Sequence, residues 1–198
     1  MSSSYKGREN LNYNIESPRI FFTGDTHFGH KNILKYTDRG KHFTTVQGMD
    51  EYLINEWNSQ VSPGDIVYHL GDFYMGPPDK IEEITSRLNG EIHLIRGNHD
   101  KFHPIYNKLF ASISSYKVLR VNDDRIVLFH YPITDWDGKY RGAYHFFGHT
   151  HGRIVPDNRS IDVGADSVIP YGINKPPATI FRLHLLEDLI HILKDREF

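Results

Sequence analysis

Short runs of apolar and β-branched residues alternate with amphipathic segments along most of the chain. Each apolar run is bounded by Gly, Pro, Asn or Asp, which is typical of strands that end in tight turns. The predicted strands are RIFFT (19–23), IVYHL (66–70), EIHLI (91–95), YKVLRV (116–121), RIVLFH (125–130), AYHFF (143–147) and RSIDV (159–163). Strands that alternate with helices predict a layered α/β fold.

Two segments between these runs show helical spacing of apolar residues, 49–61 and 78–88. The end of the chain is ambiguous, because 178–184 fits a strand whereas the leucines and isoleucine of 186–193 favour a closing helix. Residues 1–17 contain no such pattern, and we expect them to form a flexible N-terminal arm.

Length and composition narrow the class of protein. A chain of 198 residues suits a single domain over 1–198 with a sizeable core. The formal net charge of −2 gives no general attraction to long nucleic acids. The sequence contains no segment that matches a signal peptide or a membrane span, so we expect a cytoplasmic protein. The absence of cysteine means that any metal must be bound by His, Asp, Glu or Asn.

Potential metal ligands follow five of the predicted strands directly. Carboxyl ends of strands form the ligand-binding crevices of open α/β sheets, so we expect these side chains to meet. The candidate ligands are Asp25, His27, Asp72, Asn98, His130, His149 and His151. Seven mixed oxygen and nitrogen donors suit two divalent ions, with Asp72 as the bridging carboxylate. Mn, Fe, Zn, Ni and Co all fit such donors, whereas calcium prefers oxygen alone.

The same motifs carry a family resemblance. "GDTHFGH", "GDFYMG", "GNHD", the isolated His130 of "FHYP" and "GHTHG" resemble, in this order, the five sequence blocks of the calcineurin-like metallophosphoesterases. "DTHFGHKNILKY" and "VSPGDIVYHLGD" further resemble a subgroup of small stand-alone bacterial and phage phosphoesterases. The resemblance implies a four-layer β-sandwich flanked by helices, in a bacterial cell or a phage-infected host.

The resemblance also implies roles for individual residues. One metal would bind Asp25, His27, Asp72 and His151, and the other Asp72, Asn98, His130 and His149. His99 would approach the leaving group, and Asp100 would orient His99.

The implied reaction is hydrolysis of a phosphoester by in-line attack of a metal-bridging hydroxide, with His99 as the acid. Phosphodiesterase and phosphatase activities are both open, and the charge balance favours small, nucleotide-like substrates over long duplexes. The alternative is a catalytically silent binding or scaffold module with the same fold. The sequence makes no prediction about the oligomeric state.

Further residues near the motifs are candidate substrate contacts. His30, Lys31 and Arg39 follow the first motif, where cationic groups would favour an anion, although His30 could instead cap the helix that follows. The polar, glycine-containing segment 136–141 separates two ligand-bearing strands and predicts a mobile lid. In that lid Trp136, Lys139 and Arg141 would contact the leaving group, with Trp136 stacking on a nucleobase.

Overall fold

The computed structural model describes the backbone of residues 8–11 and all of residues 18–101, 103–156, 158–167 and 181–197. Its helices are α1 (Ile33–Tyr36), α2 (Val46–Gln60), α3 (Ile81–Thr85), α4 (Tyr106–Leu109) and α5 (Leu186–Leu193). Its strands are β1 (Arg8–Leu11), β2 (Ile20–Thr23), β3 (Ile66–His69), β4 (Glu91–Ile95), β5 (Ser112–Ser114), β6 (Tyr116–Val121), β7 (Asp124–Phe129), β8 (Tyr144–Phe147), β9 (Ser160–Asp162) and β10 (His184–Leu185). Short 3₁₀ helices cover Asp38–Lys41, Pro78–Lys80 and Lys139–Arg141.

The strands form two five-stranded sheets. The first has the order β10-β2-β3-β4-β5, in which β2 to β5 are parallel and β10 is antiparallel. The second has the order β1-β6-β7-β8-β9, in which β7, β8 and β9 are parallel. Parallel strands end at a common edge, so each sheet gathers the loops that follow its strands at one place.

Two buried clusters hold these layers together. One lies between the sheets, where the rings of Phe22 and Phe146 meet edge to face at 4.9 Å and α5 closes the cluster. The other lies between the first sheet and the helices, where Trp57 of α2 is fully buried. The expected α/β sandwich of two sheets flanked by helices is therefore confirmed.

Most of the predicted elements are present, with shifted bounds. Helix α2 begins earlier than predicted because Thr45 caps it, its side chain accepting a hydrogen bond from the Gly48 N–H. The ambiguous C-terminal segment is both elements in succession, the two-residue strand β10 and then α5. Residues 178–180 of the predicted strand lie outside the described residues.

The expectation of a flexible arm over 1–17 is wrong for residues 8–11. These residues form β1, which pairs in parallel with β6, Arg8 opposite Val118. Unpaired backbone groups at a sheet edge offer hydrogen bonds to any extended segment, and apolar periodicity does not reveal such pairing. Residues 1–7 and 12–17 lie outside the described part of the chain.

Within that described part, no helix is long and apolar enough to cross a membrane.

Candidate metal centre

The loops after five strands converge at one edge of the sandwich, as the sequence predicts. Strands β2, β3 and β4 of the first sheet lead into Asp25, Asp72 and Asn98, and β7 and β8 of the second lead into His130 and His149. Two groups of side chains place their ligand atoms within 4.8 Å of one another. The Asp25 group comprises Asp25, His27 and His151, and the Asp72 group comprises Asp72, His130 and His149.

Asp72 also faces the Asp25 group. Its Oδ2 is 3.7 Å from Nε2 of His27 and 3.6 Å from Nε2 of His130, one residue from each group. Asn98 joins the same side, with its Oδ1 3.0 Å from Nε2 of His130. One carboxylate oxygen therefore faces candidate ligand nitrogens of both groups.

The backbone of these residues is strained. Six non-glycine residues among those described have φ between 50° and 68°, and all but Asn122 are candidate ligands: Asp25, His27, Asp72, His149 and His151. Such conformations cost about 1–3 kcal/mol each and cluster at functional sites. Left-handed turns aim these side chains, and their strain indicates that the rest of the fold enforces the geometry.

Two ligand atoms of the Asp25 group are buried without a hydrogen-bond partner, Oδ1 of Asp25 and Nε2 of His27. Burial, followed by the charges of Asp162 and Asp72, raises the pKa of Asp25 well above its ordinary value. Burial, followed by the charges of Arg39 and His151, lowers the pKa of His27 to about 2, so its ring is neutral and carries a free lone pair. Buried ligand atoms without a hydrogen-bond partner, and carboxylates that lie close to one another, fit a bound cation, because a cation would interact favourably with both.

Neighbouring carbonyl and carboxylate groups fix the ring orientation of two candidate ligand histidines. Nδ1 of His130 donates to the Leu70 carbonyl at 2.7 Å, which leaves Nε2 facing Asp72. Nδ1 of His151 lies 2.6 Å from Oδ2 of Asp166. Such outer partners set the tautomer of a metal-ligating histidine.

Arg39 lies behind the site and does not reach its opening, which corrects its expected role as a substrate contact. It is 3% exposed and donates two hydrogen bonds to Asp166, at 2.7 and 2.8 Å. It also donates to the backbone carbonyls of Asp25 at 2.6 Å and Thr26 at 2.7 Å. The 3₁₀ turn Asp38–Lys41 directs this guanidinium inward, so it positions the first motif.

Asp166 supports the candidate site, and the sequence motifs did not indicate it. Burial alone would raise its pKa, but the charge of Arg39 and the hydrogen bond to His151 hold the pKa well below its usual range. It therefore stays ionised and links Arg39 to the Asp25 group. A signal was present, because a glycine and then a nearby aspartate follow the predicted strand 159–163, as they do after 19–23, although Ala165 separates Gly164 from Asp166.

Asp162 stabilises the turn that carries two ligand histidines. Its carboxylate accepts hydrogen bonds from the N–H groups of Gly152 and Gly164 and from the hydroxyl of Thr150. Gly148, at the start of this turn, must lack a side chain, because a Cβ there would lie 2.6 Å from Oδ2 of Asp25. The second sheet can therefore approach the first closely.

Asp100 does not orient His99 by a side-chain contact, contrary to expectation. Its carboxylate accepts hydrogen bonds from the N–H groups of Asp72 at 2.7 Å, Phe73 at 2.9 Å and Gly97 at 2.8 Å. Among the described residues, no hydrogen bond or ion pair joins it to the His99 ring. Since it ties the loop after β3 to the loop after β4, Asp100 positions backbone that carries ligands.

His99, His30 and Lys31 lie at the opening of the site. The His99 side chain is 44% exposed, and its Nε2 is 3.9 Å from Oδ2 of Asp72. The rings of His30 and His99 lie 5.4 and 5.7 Å from the ring of His27. Helix α1 has Asn32 as its N-cap without a side-chain hydrogen bond, so the His30 side chain does not cap it. Lys31 is exposed.

The predicted lid is wrong. Trp136 is only 6% exposed, packs against Val118 and Val127 on the outer face of the second sheet, and donates from Nε1 to the Ala143 carbonyl at 3.0 Å. Because β7 and β8 are parallel, the chain must return from the metal edge to the opposite edge before β8 begins. This return path places Trp136, Lys139 and Arg141 away from the metal centre, so their assignment as substrate contacts is corrected.

Comparisons with known proteins agree with this site. The family described as the calcineurin-like phosphoesterase superfamily domain matches residues 19–165. An uncharacterized protein of Methanocaldococcus jannaschii is 35% identical over 178 residues, which cover 85% of this chain and 92% of the relative. The gene 66 protein of Mycobacterium phage D29 is 29% identical over 180 residues, which cover 75% and 88% of the two chains.

A solved structure is also similar. A protein of unknown function from Aquifex aeolicus superposes with a TM-score of 0.61 at 26% identity, and the match covers 76% of this chain and 91% of that one. The matched family region contains all seven candidate ligands. The chain therefore belongs to the calcineurin-like phosphoesterase superfamily.

Proposed function

We propose that this protein is a dinuclear metal-dependent phosphoesterase that hydrolyses small, nucleotide-like phosphoesters. The observation that carries the proposal is the position of Asp72, whose Oδ2 faces a histidine of each ligand group at 3.7 and 3.6 Å. Seven residues offer oxygen and nitrogen donors, and Asp72 is the shared carboxylate among them. This set suits two divalent ions of the Mn, Fe, Zn, Ni or Co type.

Each ligand group has its own support in the protein. The Asp25 group depends on Asp166 and Arg39, which hold His151 and the backbone of Asp25. The Asp72 group depends on the Leu70 carbonyl, which orients His130, and on Asp100, which fixes the backbone of Asp72. Two bound cations would supply Lewis-acid polarisation of a phosphoryl oxygen and activation of a water molecule. These supports keep the donors preorganised for both tasks.

His99 is the residue best placed to protonate the leaving group. It combines an exposed imidazole with a backbone N–H that donates to Oδ1 of Asp72 at 2.8 Å, so its loop is fixed to the centre while its ring faces the solvent. Protonation of a departing oxygen by a positioned histidine is worth about 10²- to 10⁴-fold in rate. Asn98, the preceding residue, adds an amide on the same side.

His30 and Lys31 are proposed substrate contacts. Burial, and then the charges of His99 and Arg39, lower the pKa of His30, so a neutral ring faces the opening. Its Nδ1 is buried without a hydrogen-bond partner, which leaves it available to a ligand group. Lys31 adds an exposed positive charge beside it. Two such groups suit one phosphate of a small substrate, whereas a long duplex would require an extended basic surface.

The proposal is tested by a substrate panel assayed with Mn, Zn, Ni and Fe in turn. The panel would contain mononucleotides, dinucleotides, cyclic nucleotides, nitrophenyl esters and duplex DNA. We expect metal-dependent hydrolysis of small esters, loss of activity after verified metal removal, and recovery when metal is restored.

The Asp72→Asn variant should lose activity and bind less metal at both groups. The matched control is Asp137→Asn, which removes a carboxylate from the segment 136–141, away from the metal centre, and should retain full turnover. Full activity of metal-free protein would contradict the proposal, and so would a normal metal content in Asp72→Asn.

A further inference from the structure

A cavity of ≈ 330 Å³ lies on the second sheet, at the edge opposite the metal centre. Four arginines line it, together with Asp123 of the turn between β6 and β7 and Asp124, the first residue of β7; the arginines are Arg120, Arg125, Arg141 and Arg159. We call this cavity the arginine pocket. Its size is near the lower end of the range for small-molecule sites, which is about 300–1,000 Å³.

Two of the arginines face each other across neighbouring strands. Arg120 of β6 is the direct cross-strand partner of Arg125 of β7, so both side chains project from the same face of the sheet. Like charges placed directly opposite destabilise a sheet. Among the described residues, Arg120 makes no ion pair with a carboxylate. Asp137 offsets the charge of Arg125, which leaves the charge of Arg120 for an anion between the two guanidinium groups to balance.

The neighbouring guanidinium groups are held in place before any ligand binds. Nη1 of Arg125 donates to Asp137 at 3.1 Å. Arg159 donates to the backbone carbonyls of Gly142 at 3.2 Å and Lys194 at 2.6 Å. Gly138 has φ 82°, and a Cβ there would lie 2.9 Å from Nη1 of Arg125. A residue with a side chain at position 138 would thus displace a guanidinium group from the cavity wall.

We propose that the arginine pocket binds the diphosphate or triphosphate group of a small molecule. Guanidinium groups bind phosphate oxygens in a bidentate manner, and four of them around one small cavity fit more than one anionic group. Asp123 and Asp124, together with Asp137, which pairs with Arg125 and Arg141, balance only part of this charge. The site would lie apart from the metal centre and would bind its ligand without hydrolysing it. It does not depend on the proposed catalytic function.

Binding of α,β-methylene-ADP to the metal-loaded protein, measured by isothermal titration calorimetry, tests this proposal. The wild type should show two classes of site, one at the metal centre and one at the arginine pocket. Arg141→Ala is the first variant, because its side chain is 76% exposed and its ion pair with Asp137 is long, at 3.8 Å, so its loss should leave the fold intact. It should weaken the second class by about 10- to 100-fold, the usual effect of one hydrogen bond to a charged group.

Arg120→Ala should have the same effect, and both variants should retain wild-type hydrolysis of nitrophenyl esters. Arg87→Ala, which removes an exposed arginine from another surface, is the matched control and should leave both classes unchanged. Equal affinities in the wild type, Arg141→Ala, Arg120→Ala and Arg87→Ala would overturn the proposal, whether the wild type shows one class of site or two. Preferential binding of duplex DNA through these arginines would also overturn it.

Discussion

Replacing Asp166 by asparagine removes the charge that Arg39 and His151 share while keeping the size of the side chain. Arg39 is 3% exposed, so its guanidinium would be left buried beside neutral groups. Breaking a buried ion pair from one side costs about 3–5 kcal/mol. Asparagine can still accept one hydrogen bond, and the carbonyls of Asp25 and Thr26 still accept two. We therefore expect the free energy of unfolding to fall by about 3 kcal/mol, the lower end of that range.

For a chain of this length, about 1 kcal/mol lowers Tm by about 2–4 °C, so Tm should fall by about 6–12 °C. The same substitution removes the partner of Nδ1 of His151, a ligand of the Asp25 group. Loss of such a partner lowers metal affinity by about 10- to 100-fold. The Asp72 group should keep its affinity, because the Leu70 carbonyl orients His130 independently.

Thermal unfolding and competition with a metal chelator measure these two effects. Asp188→Asn is the matched control, because this carboxylate forms an ion pair with Arg182 at 3.5 Å and both side chains are partly exposed. Its loss should cost no more than about 1 kcal/mol. A small stability change in Asp166→Asn would refute the argument. Equal weakening of both metal sites would refute the assignment of Asp166 to the Asp25 group.

His99→Ala should keep its metal content but lose about 10²- to 10⁴-fold in turnover, more for poor leaving groups than for nitrophenol; an equal loss for both would exclude His99 as the acid. Trp136→Ala should lower stability by about 3–5 kcal/mol, as for other buried aromatics, with KM unchanged for nucleotides and nitrophenyl esters, as denaturant unfolding and kinetics would show. Burial, opposed by a hydrogen bond from Gly29, raises the pKa of Asp50 to about 6. The protonated carboxyl group therefore stabilises the fold fully below the unfolded pKa of about 3.9, and this contribution is lost as pH rises through the folded value. The stability advantage of Asp50→Asn over the wild type should therefore grow between these pH values, and a constant difference would contradict the assignment.

The sequence predicts the positions of the ligands because it records where buried strands end. Asp25, Asp72 and Asn98 each follow an apolar run, and parallel pairing of those runs brings them to one edge. Periodicity does not predict the left-handed backbone at Asp25 and His27, since non-glycine residues adopt it only when the surrounding fold enforces it.

Contacts between distant segments account for the other errors. Arg39 and Asp166 are 127 residues apart, so no local pattern pairs them, and Arg39 alone resembles a surface cation. Trp136 lies in a polar segment that looks like an exposed loop. Its burial follows only from the parallel pairing of β7 and β8, which forces the intervening chain across the outer face of the sheet.

The central claim is that Asp72 bridges two metal ions, and anomalous X-ray scattering from crystals of manganese-loaded protein tests it most directly. We expect two anomalous peaks, about 3.5–4 Å apart as in other two-metal sites, with a carboxylate oxygen of Asp72 between them. One peak should contact Asp25 and His151, and the other His130 and His149. A single peak within this edge, or two peaks of which only one contacts Asp72, would contradict the claim.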